Sequence, residues 1–497
     1  MTTPKRHLCA ALSGDAHARK HAKGGFGDAP NEGMMRRLPD EEVTRAAEQV
    51  LIRAPARRQQ GEGGGEADAG VKEERVQAVE RIVRAVRRAH DGDDDVVVRG
   101  MCSYVKNWCT SESSFAFVEE ILPAALRGIA DVRRLAAEGE LDLLREGRAA
   151  CVQVGRQLAH ALLSCALFGV CKSAAGFDWP YFSMEPLWRV VDNYDVVRAK
   201  IACQLAYHHE AFRRDNFAED SQPIRFTRKV LVDGFDEEVW LNSTTPLGEF
   251  RVIHHGANVS IGTAPNHVLR ADFANASLGG GVWSRGAVQE EILFSEEPEL
   301  CVGMLLAQDL GDRESLHIEH SMRYSTTIGY SATLQFAKPL HPPESYGPVI
   351  AMDAIEFRDS FRADKTQYTT HSMVRELCKS LCAFLPCESA LVGGDRDDAA
   401  EASLIPPVAT GNWGCGAFGG DPQLKALLQW LSASTACRPI DYYTHTDARV
   451  ANRLDDDLVR RLRSRYATVG GLFTALSQFD RHHGRASDLF DWLSLAL

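Results

Sequence analysis

Gly279-Gly280-Gly281-Val282-Trp283-Ser284-Arg285-Gly286-Ala287-Val288-Gln289-Glu290-Glu291 is the most informative segment of the chain. Consecutive glycines permit backbone angles closed to other residues and let a ligand approach the main chain. They end a segment that opens Asp272-Phe273-Ala274-Asn275, within a strand-like run Val268 to Phe273. Gln289 to Phe294 then reads as a helix. Glu290 and Glu291 fall in its first turn, where the helix dipole favours carboxylates for purely structural reasons. Strand, glycine loop and helix N-terminus in that order aim backbone N–H donors at an anion.

A second loop has the same grammar. Gly414 to Gly420 reads GCGAFGG and fits G-x-G-x-x-G through Gly414, Gly416 and Gly419. It follows a strand-like run, Val408 to Thr410, and opens a helix with Asp421 as N-cap and Pro422 at the first helical position. Asp441 lies in the next strand-like run, about where a dinucleotide-binding fold places a ribose-binding acid. On this loop alone, a nicotinamide-dependent oxidoreductase and a plain strand-to-helix turn are both open readings.

Outward from the loops, the chain divides into three. Residues 1–72 read as a disordered tail, because GEGGGEADAG at Gly61 to Gly70 carries no apolar pattern. Lys5, Arg6, Arg19, Lys20 and Lys23 make the tail either a nuclear-import address or merely a solvated one. Residues 73–235 read as an all-helical accessory domain. Val76, Val79, Ile82, Val83 and Val86 recur at helical steps, and Phe115 to Leu135 and Ala149 to Cys171 follow suit. Residues 236–497 alternate strands with helices. The strand-like runs include Leu316 to Ile318, Tyr330 to Phe336, Val349 to Ile355 and Ile440 to Thr444; the helical ones include Pro298 to Ala307, Met373 to Phe384 and Pro422 to Leu431. Such alternation predicts an α/β domain, a sheet with helices on both faces.

Composition narrows the function classes. The 497 residues are 44% hydrophobic and 25% charged, ordinary for a globular protein of roughly two to four domains. A net charge of −12 argues against a chain whose main work is gripping nucleic-acid phosphates. No apolar run approaches the roughly 18 residues that span a bilayer. Lys5 and Arg6 are not followed by the apolar stretch of a secretory signal. The 13 cysteines are scattered without a C-x-x-C pair, and Cys378, Cys382 and Cys387 lack the second pair that zinc requires, so reduced thiols and no metal are expected. The acid run from Asp91 to Asp95 lacks the Glu that closes a calcium loop, Cys102 standing there instead.

Taken together, GGG-VWSRGAV-QEE at 279–291, DFAN at 272–275 and ATGNWGCGAFGGD at Ala409 to Asp421 resemble the signature of the poly(ADP-ribose) glycohydrolases. VIAMDAIEF at Val349 to Phe357 and IGY at Ile328 to Tyr330 are also similar, and FAFVEEILP at Phe115 to Pro123 more loosely so. The resemblance implies a macrodomain-like mixed sheet flanked by helices, preceded by a helical accessory domain. It implies hydrolysis of the ribose–ribose O-glycosidic bonds of poly(ADP-ribose), without a cofactor, with poly(ADP-ribosyl)ated proteins as partners and ADP-ribose as product.

Two glycine loops flanking one diphosphate suit the terminal unit of that polymer. Cleavage needs a proton donor for the leaving oxygen and stabilisation of an oxocarbenium-like centre. The family pattern makes Glu291 the donor, whose pKa must then rise above the free value of about 4.3. Adjacent helical residues point about 100° apart, which suits Glu290 and Glu291 poorly to opposite faces of one sugar. Glu291 is therefore expected to act first as acid and then as base, with Glu290 fixing ribose hydroxyls together with Asn275. By resemblance, Ile261, Asp272 and Gln289 would shape the adenosine and ribose contacts. Gly279, Gly280 and Gly281 would line the first loop and Asn412, Gly414, Cys415 and Gly416 the second. Tyr330 would donate near the diphosphate and Phe418 would pack on the reacting ribose. Two positions depart from the family: Gly262 stands where a Glu is common, and His445 where a Phe stacks on adenine, so a looser, pH-dependent adenine grip is expected. An idle ADP-ribose reader is the alternative from another class, opposed by the presence of both glutamates. The resemblance further implies turnover of poly(ADP-ribose) after DNA damage, in the nucleus with a cytoplasmic pool as the alternative, by a monomer.

Overall fold

The computed structural model describes residues 38–53, 65–91, 95–139, 141–171, 182–220, 222–254, 261–358, 366–386, 405–479 and 489–495. The five basic tail residues, Asp93, Asp94 and Cys387 lie outside them. Among the described residues no helix is long and apolar enough to cross a membrane.

Helices α1 (Glu41–Arg53), α2 (Gly65–Asp91), α3 (Val96–Trp108), α4 (Leu122–Glu138), α5 (Arg156–Phe168) and α6 (Asp195–Arg213) form the N-terminal part. The strands are β1 (Ala150–Val154), β2 (Ile224–Val230), β3 (Phe250–Ile253), β4 (Leu269–Ala274), β5 (Glu314–Glu319), β6 (Met322–Ile328), β7 (Gln335–Ser345), β8 (Val349–Asp353), β9 (Val408–Gly411) and β10 (Ile440–Tyr443). Helices α7 (Gln289–Glu296), α8 (Thr370–Phe384) and α9 (Pro422–Thr435) interleave with them. Eight strands make one mixed sheet in the order β1-β2-β5-β8-β4-β9-β10-β3, and β6 and β7 form a separate hairpin. The run β8-β4-β9-β10-β3 is parallel, while β1, β2, β5 and β8 pair antiparallel.

The sheet is covered on both faces. All five residues of β8 are buried, which is why its sequence is an almost continuous apolar run. The two-residue pleat sends Val349 and Ala351 into a core shared with α1 to α6, and Ile350 and Met352 into a second core with α8 and α9. The same alternation along β4 turns Leu269 and Ala271 to the second core. It turns Arg270 and Asp272 the other way, towards α7.

Four expectations need correction. Within 1–72, α1 is an ordered helix with Val43 and Ala47 fully buried, and α2 begins at Gly65. A single helix of this length is marginal alone, and composition does not show the tertiary partner that stabilises it. Ala149 to Cys171 is a strand and a helix: β1 buries only Val152 and Val154, and extended Gly155 separates it from α5. β2 buries alternate residues, but its third inward position is Arg228, paired at 2.6 Å with Glu314, so the pattern did not look apolar. The sheet therefore takes two strands from the stretch read as all-helical. Lastly, Tyr330 to Phe336 is mainly a turn rather than a strand. Positive φ at Gly329 and Ser331 folds the chain there before β7 starts at Gln335.

Candidate active site

The parallel strands β4 and β9 are neighbours, so the loops leaving their C-terminal ends converge although they lie far apart in sequence. Ligands sit outside the C-terminal ends of parallel strands in open sheets. One cleft is lined here by residues of both loops, by Tyr330 from the β6–β7 turn and by His445 after β10.

Helix α7 is pinned to β4 at both ends. At its start, the Gln289 side chain accepts from Phe273 N at 2.8 Å and donates to Ala271 O at 3.1 Å. Just past its end, Glu297 makes a two-pronged buried pair with Arg270 at 2.5 and 3.1 Å. Between them the two glutamates reach back to the glycine loop. Glu290 accepts from Asn275 N at 3.0 Å and Gly279 N at 2.6 Å. Glu291, third residue of the helix, accepts from Gly281 N at 2.9 Å and Val288 N at 2.8 Å. The glycines are a steric consequence. A Cβ on Gly280, whose φ is 47°, would stand 2.7 Å from Glu290 Oε2 and 2.8 Å from Glu291 Oε1. A Cβ on Gly286 would stand 2.7 Å from Glu291 Oε1.

The electrostatics centre on three carboxyls. Glu290 is raised well above the ordinary range by burial, then by the charge of Asp272. Asp272 is likewise raised well above it by burial, then by Glu291. Both Asp272 oxygens are buried without a hydrogen-bond partner among the described residues, which disfavours its charged form. The folded chain keeps a proton that the unfolded chain releases near pH 4. That contribution to stability is complete below about pH 4 and is lost as pH rises towards the folded value, by at most about 1.4 kcal/mol per pH unit. Asp272→Asn is expected to flatten the fall in thermal midpoint measured between about pH 5 and pH 9. An unchanged slope would remove Asp272 as its source.

The second loop is held by its own contacts. Asn412 donates to Thr444 O at 3.0 Å and accepts from Tyr442 OH at 2.9 Å, tying the loop to β10. Gly414 has φ 72°, and a Cβ there would meet Ala354 Cβ at 2.5 Å. Asp421 caps α9 by accepting from Gln423 N and Leu424 N, as its position predicts. Burial pushes the Cys415 thiol far up, so it stays protonated and is no nucleophile. Burial and then the Glu291 charge raise Tyr330, keeping its hydroxyl a donor. Its ring lies 5.8 Å from that of His445 at the mouth of the cleft.

Most of the site residues named from sequence line this cleft: Ile261, Asn275, Gly280, Gly281, Gln289, Glu290, Glu291, Tyr330, Asn412, Gly414, Cys415, Gly416, Phe418 and His445. Asp272 and Gly279 do not; Asp272 is fully buried behind the first loop. Gln289 spends its amide on β4. Asp441 is not on the cleft wall and binds Arg251 at 2.6 Å. Sequence reading missed Lys200, which lies under the first loop. The signal was a lysine placed between Val196-Val197 and the largely apolar stretch Ile201 to Tyr207.

A mixed sheet that gathers two glycine loops at adjacent parallel strand ends, with carboxylates buried between them, belongs to the macrodomain class. Residues 237–452 match the family model of poly(ADP-ribose) glycohydrolase with macro domain fold. Poly(ADP-ribose) glycohydrolase 1 of Arabidopsis thaliana is 29% identical over 422 residues, 71% of this chain and 74% of the relative. Poly(ADP-ribose) glycohydrolase 2 of Caenorhabditis elegans is 32% identical over 356 residues, 67% of this chain and 69% of the relative. The chain belongs to the poly(ADP-ribose) glycohydrolase family.

Proposed function

We propose that this chain hydrolyses the ribose–ribose O-glycosidic bonds of poly(ADP-ribose) and releases ADP-ribose. The observation that carries the mechanism is Glu291, a nearly buried carboxyl at the edge of the cleft whose two oxygens are fixed by Gly281 N and Val288 N. The second glycine loop, whose N–H groups the two glutamates do not take up, suits a diphosphate. Glu291 passes a proton to the leaving ribose oxygen as the bond to the anomeric carbon breaks. Water then adds to that carbon and returns a proton to Glu291. The test is to incubate the full chain with poly(ADP-ribose) and separate the products by chromatography. Release of ADP-ribose is expected. Binding of ADP-ribose without release would make the chain a reader.

The setting we propose is turnover of poly(ADP-ribose) after DNA damage in the nucleus. Lys5, Arg6, Arg19, Lys20 and Lys23 support that address. Replacing all five by Ala in a fluorescent fusion is expected to shift the protein to the cytoplasm. Unchanged nuclear fluorescence would strip the tail of this role.

A further inference from the structure

Lys200, on α6, is 1% exposed and sends its ammonium into the back of the first glycine loop. Its Nζ donates to Gly281 O at 3.1 Å, Ser284 O at 2.7 Å and Gly286 O at 2.5 Å. Those are all three protons of an ammonium, spent on one loop. Lys425 under the second loop is different, for it is neutralised at 2.5 Å by Glu376. Lys200 forms no salt bridge among the described residues. Burying an ammonium against neutral carbonyls is costly, so the contact has to do something an apolar side chain would not.

The loop shows what that is. Gly281 and Gly286 are pinched together, so that a Cβ on Gly286 would lie 2.9 Å from Gly281 Cα. Lys200 binds the carbonyls of both pinched residues. The same pinch brings Gly281 N to one oxygen of Glu291, and the chain leaving Gly286 brings Val288 N to the other. We propose that Lys200 is a positioning residue for glycosidic cleavage, locking the loop conformation that aims the Glu291 carboxyl. This rests on the reading of Glu291 as the proton donor.

Charge supports the geometry. Burial lowers Lys200 to about 8, while Glu291 from α7, then Cys301 and Cys203, oppose that shift. Deprotonation in mildly alkaline solution removes one donor and the positive charge facing Glu291.

The experiment uses the full chain with Lys200→Met, Lys200→Arg and Glu291→Gln side by side. Lys200→Met is expected to lower kcat on poly(ADP-ribose) by about 100-fold, with KM and ADP-ribose Kd within about threefold of wild type. Lys200→Arg is expected to restore kcat to within about tenfold and to hold its plateau to about pH 9.5, where wild-type kcat has declined, because a guanidinium keeps its proton. Wild-type kcat in Lys200→Met overturns the proposal, as does a kcat loss matched by an equal loss of ADP-ribose binding. Should Lys200→Met not fold, the arginine profile decides, and an alkaline limb identical to wild type overturns it. Turnover by Glu291→Gln would overturn the underlying reading instead, whatever Lys200 does.

Discussion

Glu291→Gln is expected to cut kcat on poly(ADP-ribose) by about 1,000-fold or more while ADP-ribose binding stays within about tenfold of wild type. The substitution keeps the shape of the side chain but removes the proton that must reach the leaving oxygen. One of the two backbone donors, Gly281 N or Val288 N, then faces an amide NH₂ and loses its acceptor. That cost is of the order of 1–3 kcal/mol for a buried donor, enough to soften the loop without unfolding the domain. Binding should survive because the second loop and its anchor, Asn412, are untouched. Calorimetry with ADP-ribose and product chromatography separate the two effects. Turnover near the wild-type rate would end the assignment. Glu290→Gln tests a different matter: Glu290 ties Asn275 N to Gly279 N, so its loss should weaken binding together with turnover.

Gly280→Ala should be nearly as damaging, for a reason outside the chemistry. At φ 47° a side chain costs roughly 1–2 kcal/mol of backbone strain. The new methyl would also sit 2.7 and 2.8 Å from one oxygen of each glutamate, so both carboxylates must move. A shift of about an ångström in a catalytic group costs around 100-fold in rate, and that is the fall in kcat expected. Gly155→Ala is the matched control, since nothing lies within 4 Å of its Cβ and its φ is −61°. A Gly280→Ala enzyme with full activity would show that the carboxylates need not approach the loop so closely. That result would also weaken the argument for Lys200, which depends on the same tight loop.

Much of the catalytic half was legible because its constraints are local. β8 and β9 are short, fully buried strands, and β8 is the nearly continuous apolar run that burial on both faces demands. Asp421-Pro422 marks the start of α9, since a cap and a fixed φ are properties of adjacent residues. The glycines announced close approaches, although what approaches Gly280 from within is a pair of carboxylates. β1, β2 and α1 were not legible. A five-residue strand before a long apolar helix, a strand with a buried arginine, and a helix stabilised by its neighbours all take their identity from partners remote in sequence. Parity along β4 says that Asp272 faces inward, and only the packing shows how deeply it is buried.

The two glycine loops, the helices they open and the place of Glu290 and Glu291 at one helix start are written in neighbouring residues. These follow from backbone sterics and capping within a few residues. Long-range packing supplied the rest. It set β4 beside β9, so that the loops face one cleft, and ran two strands of the helical half into the sheet. It buried Asp272 behind the glutamates, and it brought Lys200 beneath Gly281, some eighty residues on in the chain. Such pairings depend on strand order and helix packing, where distance along the chain carries no weight once both groups have left water.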